Sequence, residues 1–235
     1  MYSATLIPSD VRVTPIARLG QIILTLLTPP LLVLLAVRLV MSPVFLHIEY
    51  TRPGFPVDPY GLTTDERLYY APKALDYLIY NQPLDALRDL TFDDGSPLYT
   101  ERELVHMHDV QVVTQYAFMG ALAGGALFVL TALLLARAGA QALGRALHSG
   151  GLFTLVIIIS IIVFSIAAWD RFFVLFHTLF FADGTWMFPY SDTLIRLFPE
   201  QFWFDAAIAI GGLSAIGALL LLLIGARLHN RARTG

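Results

Sequence analysis

The sequence predicts an all-α integral membrane protein with four transmembrane helices, and three observations support this. The 235-residue chain is 57% hydrophobic and only 14% charged, whereas soluble domains carry about a quarter of charged residues. Its mean hydropathy is +0.67. Four apolar runs each approach the ~20 residues needed to cross a bilayer core. Helices follow rather than an open sheet, because lipid-exposed sheet edges leave backbone groups unpaired. A large extracytoplasmic loop between helices 1 and 2 and an aromatic-rich one between helices 3 and 4 complete the expected architecture.

The chain 1–235 reads as a single membrane domain. The first helix is expected at about 22–46, "IILTLLTPPLLVLLAVRLVMSPVFL". It is too long for the apolar region of a cleavable signal and lacks a small-residue cleavage pattern, so a retained helix is predicted. Arg38 within it faces the bundle or snorkels to the interface. The second helix is expected at about 112–136, the third at 151–169 or longer, and the fourth at 206–225. Outer segments then cover 48–111 and 170–205. The chain has no cysteine, which excludes disulfides, thiolate metal ligands and a cysteine nucleophile.

Orientation follows from the basic residues. Arg12, Arg18, Arg137, Arg145, Arg227, Arg231 and Arg233 lie in the N-terminal segment, the loop after helix 2 and the tail, against one acidic residue there, Asp10. The stretch Glu49–Asp109 holds five basic and twelve acidic residues. Both termini and the short loop are therefore expected in the cytoplasm, with the acidic segments on the outer face of the cytoplasmic membrane. No basic block points to nucleic acid.

In the first outer segment, Pro53, Gly54, Pro56, Pro59 and Gly61 favour turns. A helix follows, N-capped by Thr63 or Thr64, with Leu68, Leu75, Leu78 and Ile79 as an apolar stripe. "FDDGSP" predicts a turn. Thr100-Glu101-Arg102-Glu103 is a capping-box pattern, so a helix is expected to start at Glu101 and run unbroken into the second membrane run. The second outer segment, Trp169–Phe204, holds thirteen of the twenty-nine aromatics. It suits an interfacial anchor, a surface for acyl chains, or both.

The stretch "ELVHMHDV" carries His106, His108 and Asp109. On a helix, residues two apart point about 200° from each other, so His106 and His108 diverge. Positions three apart share a face, so His106 and Asp109 can act together. His177, in "FHTLFFADGTW", is costly to bury without a partner. His106 lies about six residues before the second run, roughly 9 Å, and His177 about eight residues past Trp169, roughly 12 Å. Helices 2 and 3, joined by a short loop, are expected to be neighbours, which puts both histidines in one layer at the outer interface. His47 and His108 read as polar handles, and His148 and His229 carry no assigned role.

Three other readings remain open on these residues. His106, Asp109 and His177 offer two nitrogens and a carboxylate to a metal, though HExxH and a third convergent histidine are absent. A serine hydrolase would use Ser191, without a G-x-S-x-G motif. A non-enzymatic membrane protein would use the outer loop for docking.

"TERELVHMHDV", "FHTLFFADGTWMFPYSDTLIRLFPEQFW" and "EYTRPGFPVDPYGLTTDER" resemble signatures of the bacterial integral membrane family that contains the lipoprotein intramolecular transacylase. The resemblance covers most of the chain. It implies a reaction on diacylglyceryl-modified lipoproteins, with membrane lipid as the surroundings. The acyl chain on the middle glycerol carbon moves to the α-amino group of the N-terminal cysteine, giving a lyso-form lipoprotein. It implies catalytic His106 and His177, with Asp109 the aspartate of the helix-2 motif; with the ligand set incomplete, no metal or cofactor is expected. Tyr50, Arg171, Trp186 and Asp192 are supporting candidates. Trp186 equally suits a membrane anchor, Asp192 a helix cap, and Arg171 and Tyr50 plain interfacial roles. The expectation is His106 as base, oriented by Asp109, with the reverse assignment of the two histidines open. Nothing in the sequence sets the oligomeric state.

Overall fold

The computed structural model describes residues 15–234, with side chains described to Asn230. Asp10 and Arg12, and the side chains of Arg231 and Arg233, which enter the charge asymmetry, lie outside the described residues. In chain order the helices are α1 (Pro15–Val40), α2 (Pro43–Thr51), α3 (Thr64–Ile79), α4 (Asp85–Arg88), α5 (Glu101–Ala138), α6 (Ala140–Ala167), α7 (Trp169–Phe180), α8 (Thr193–Leu197) and α9 (Glu200–Thr234). Helices α1, α5, α6 and α9 are long and apolar enough to cross a membrane. Among the described residues there is no strand, only a single bridge between Thr91 and Pro97 in the "FDDGSP" turn.

The first apolar run does not remain one helix to Leu46. The chain bends at Met41 and Ser42, the Ser42 hydroxyl accepts a hydrogen bond from the Phe45 N–H at 3.2 Å, and Pro43 follows. A serine N-cap with proline at the first position starts a new helix, which is α2.

Both expected N-caps form complete boxes. Thr63 and Glu66 cap α3, and Thr100 and Glu103 cap α5. At about 1.5 Å per residue, the 38 residues of α5 span roughly 57 Å, nearly twice the ~30 Å of a hydrocarbon core. Its first three turns therefore stand beyond the apolar run and carry His106.

The connection after α5 is shorter than expected. Gly139 alone joins α5 to α6, at φ +128°, a conformation that glycine adopts without steric cost. Arg145, expected in a loop, lies inside α6, so the third span begins at Ala140 rather than near 151. The fourth begins at Glu200 rather than near 206.

Helices α6 and α9 make the most extensive contact in the bundle, and small residues let their backbones approach. A Cβ on Gly225 would stand 2.5 Å from the Gly144 carbonyl oxygen, and one on Gly144 2.8 Å from the Gly225 carbonyl oxygen. The expected neighbours α5 and α6 share much less contact, and α1 packs against both. Near Gly139, Ala17 and Leu24 of α1 meet Leu135, Ala142 and Ala146.

The segment between α1 and α5 and the aromatic-rich one between α6 and α9 form a cap over the other end of the bundle. Tyr70, Tyr77, Leu87, Leu98 and Tyr99 pack with Leu104 and Met107 of α5 and with Leu194 and Leu197 of α8. The Gln111 amide donates to the Tyr77 carbonyl at 2.8 Å and the Gln82 carbonyl at 2.9 Å, satisfying backbone acceptors at the α3 C-terminus. Helix α6 ends at Ala168 (φ −151°, ψ 59°). The short α7 that follows buries none of its side chains fully and carries His177.

Candidate active site

His106 sits on the second turn of α5 and is 7% exposed, while His108 on the opposite face is exposed. This is the divergence that helical geometry requires. His177, half-buried on α7, faces His106 with ring centroids 6.5 Å apart and planes 25° from parallel. The two imidazoles thus share one layer although α5 and α6 are not close neighbours. The overshoot of α5 and the separate helix α7 bring them together.

The His177 Nδ1 lies 2.8 Å from the Phe173 carbonyl oxygen. A carbonyl oxygen only accepts, so Nδ1 carries the proton. In the neutral ring, Nε2 then holds a free lone pair. Burial pushes the His177 imidazole below its ordinary value, and the hydrogen bond to Phe173 partly opposes this. His106 is held differently: its Nδ1 is buried with no hydrogen-bond partner. Asp109 is half-buried and makes no hydrogen bond to His106 among the described residues, so the expected orientation of His106 by Asp109 is not seen.

Aromatic rings wall the pair. Phe181 and Phe188 stand edge-on to His106 at 5.0 and 5.4 Å. Phe173 and Trp186 lie against His177 at 4.1 and 4.7 Å. Trp186 is 8% exposed, so it lines this box and does not anchor the surface. Leu179, Met187 and Tyr190 form the exposed apolar side of the same segment.

The remaining candidates lie elsewhere or act indirectly. Tyr50 is buried against Phe55 and Phe202, and its hydroxyl donates to the Leu197 carbonyl at 2.9 Å. It ties α2 to α8. Arg171 is exposed and forms no ion pair among the described residues. Asp192 precedes α8 but does not cap it with its side chain; it pairs with Arg102 at 2.6 Å. The cap comes from Glu103, fully buried, whose Oε1 accepts from the Leu194 N–H at 2.6 Å while Oε2 accepts from the Thr100 N–H at 2.7 Å. One carboxylate therefore closes its own helix start and holds α8 against α5. Among the described residues, no three His, Cys, Asp or Glu side chains gather to hold a metal ion, so His106, Asp109 and His177 do not form a ligand set.

Sequence reasoning missed Glu103 as a tether, and also Phe173, Phe181 and Phe188. The capping box disclosed one oxygen of Glu103, but nothing local discloses the use of the other. The density of aromatics after α6 was the available signal for the rings.

A polytopic helical fold with two imidazoles facing each other in an aromatic box defines a multi-pass membrane protein with a candidate acid–base site. The family model described as lipoprotein intramolecular transacylase Lit matches residues 22–203, most of the chain, and the chain belongs to this family. An uncharacterized protein of Aquifex aeolicus (strain VF5) is 28% identical over 208 residues, covering 88% of this chain and 94% of its own length. The in meso structure of the membrane integral lipoprotein intramolecular transacylase Lit from Bacillus cereus shares the fold, with a TM-score of 0.76, 22% identity, and coverage of 93% of this chain and 98% of that one. A variant of that protein with a histidine-to-arginine mutation aligns with a TM-score of 0.68 and 21% identity, covering 92% and 93%.

Proposed function

We propose that His177 and His106 carry out the family's intramolecular acyl transfer in this chain. As a member of the family, the protein is an acyltransferase acting on lipoproteins. The substrate is a diacylglyceryl-modified lipoprotein in membrane lipid. The chain is a single membrane domain in the cytoplasmic membrane, with both termini cytoplasmic and the histidine layer on the outer face. The observation that carries the assignment of roles is the hydrogen bond from His177 Nδ1 to the Phe173 carbonyl, which leaves Nε2 unprotonated.

His177 Nε2 takes a proton from the cysteine α-amino nitrogen as that nitrogen attacks the ester carbonyl carbon. The carbonyl oxygen becomes an oxyanion, and His106, buried without a partner, donates to it. Collapse breaks the bond from the carbonyl carbon to the glycerol oxygen, and the His177 imidazolium returns its proton to that oxygen. An amide forms and an ester is lost, with no proton gained or lost. Attack closes a ring of about eight atoms, and walls that hold the substrate in that pose supply effective molarity.

The reading is tested by expressing the chain in a host lacking other N-acylation and determining one lipoprotein's N-terminus by mass spectrometry. The expected product carries one acyl chain on nitrogen and one on glycerol; an unchanged diacylglyceryl form counts against it.

The pH profile follows from the two groups that must be unprotonated. The free α-amino group titrates at about 7.7–8.0, and His177 below the ~6.5 of an ordinary imidazole. Log kcat/KM is expected to be level above about pH 8, to fall with a slope of one below the amine value, and to steepen to a slope of two where His177 also protonates, at a pH below the ordinary imidazole range. A profile whose acid limb has the same slope in the parent and in a folded His177→Gln variant speaks against His177 as base.

A further inference from the structure

Beside His106 the aromatic box holds a second buried polar atom without a partner, the indole nitrogen of Trp186. We infer that the indole N–H of Trp186 donates a hydrogen bond to the ester carbonyl oxygen as it becomes the oxyanion. This rests on the acyl-transfer reading above and adds a catalytic residue to it.

Trp186 is more than nine-tenths buried, and its Nε1 has no hydrogen-bond partner. A buried donor left unpaired carries its full desolvation penalty, and such groups in native proteins call for a reason. Packing does not supply one. The contacts of Trp186, a tilted stack on His177 at 4.7 Å and an edge contact with Phe173 at 6.2 Å, need only an aromatic face, which phenylalanine offers without the unpaired N–H.

The indole N–H is a donor only and exchanges no proton with the substrate near neutral pH. Its use is therefore to hold an acceptor. The acceptor created in this reaction is the carbonyl oxygen, which gains a full negative charge when the amine attacks. His177 must reach the attacking amine, so the ester being attacked lies within a few ångströms of the ring on which Trp186 stacks. The walls exclude water from Nε1, which strengthens a hydrogen bond formed there. His106, also with a buried, unpartnered nitrogen, stands 6.5 Å from the same His177 ring. Two preorganised donors around one reacting carbonyl form an oxyanion hole, with its energy drawn on only when charge develops.

The test is Trp186→Phe in the full-length protein, assayed on a diacylated lipopeptide in detergent micelles. The expected result is a fall in kcat of about 10²–10³-fold, the size typical of losing one oxyanion donor. KM should move less than about threefold and the pH breaks should stay in place, because ground-state binding and the His177 titration are untouched. Turnover within about twofold of the parent overturns the inference. If Trp186→Phe unfolds, replacing Trp186 by benzothienylalanine keeps the two-ring shape and puts sulfur where the N–H was. The same loss of kcat is expected, and parental turnover overturns the inference. His177→Ala in the same assay separates the two levels. An inert His177→Ala beside an active Trp186→Phe removes only the role of Trp186, whereas an active His177→Ala removes the acyl-transfer reading beneath it.

Discussion

His177→Ala and His106→Ala are expected to stop formation of the lyso-form lipoprotein, while His108→Ala leaves it unchanged. Loss of a general base typically costs about 10²–10⁴-fold, and loss of an oxyanion donor about 10²–10³-fold, so His177 should be the more severe. The three histidines differ in burial as well as position. His106 is buried and His108, two residues later on the same helix, is exposed. The readout is mass spectrometry of a lipoprotein N-terminus, with thermal unfolding of each purified variant alongside. Folded His106→Ala and His177→Ala proteins that still deliver N-acylated product would refute the histidine pair. An inactive but folded His108→Ala would show that the face assignment on α5 is wrong.

Glu103→Ala is expected to have the largest effect on stability. Its carboxylate is fully buried and accepts from the Thr100 N–H, the Thr100 hydroxyl and the Leu194 N–H. Truncation orphans the Leu194 and Thr100 N–H groups, removes the α8 cap and the carboxylate half of the α5 box, and leaves the Thr100 hydroxyl still accepting from the residue-103 N–H. The buried Leu194 donor costs about 1–3 kcal/mol when orphaned, and Thr100 is exposed so that its N–H can turn to water, so a loss of about 2 kcal/mol is expected. The Leu194 amide should lose its protection from hydrogen exchange even where the bundle remains folded. Activity should fall too, because α8 holds the far end of the segment that places Trp186 and Phe188. A variant with unchanged unfolding temperature and a protected Leu194 amide would show that the tether carries little.

The sequence made the bundle legible because membrane spans announce themselves by length and hydropathy, and capping boxes are short-range patterns. Thr63–Glu66 and Thr100–Glu103 needed no tertiary information. The split between His106 and His108 followed from the helical repeat alone. The partner that sets the tautomer of His177 was not legible. Asp109 was expected to orient His106 and makes no hydrogen bond to it, whereas the group that fixes the His177 tautomer is a backbone carbonyl on its own helix, and every residue has one. The second bond of Glu103 was equally hidden, since it reaches a residue 91 positions away. The break at Ala168 carries neither proline nor glycine, so nothing local marks where α6 yields to α7.

The one-residue joint at Gly139 has a mechanical consequence. A single residue spans at most about 3.6 Å, so α5 and α6 cannot slide past each other at that end. Their relative freedom reduces to rotation about a fixed point. In such a lever the joint stays nearly still and displacement grows with distance along the arms. The 38 residues of α5 put His106 near the tip of the longer arm, so a few degrees at Gly139 become several ångströms beside the imidazoles. Any parting of the two helices is therefore smallest at Gly139 and largest at the end that carries His106.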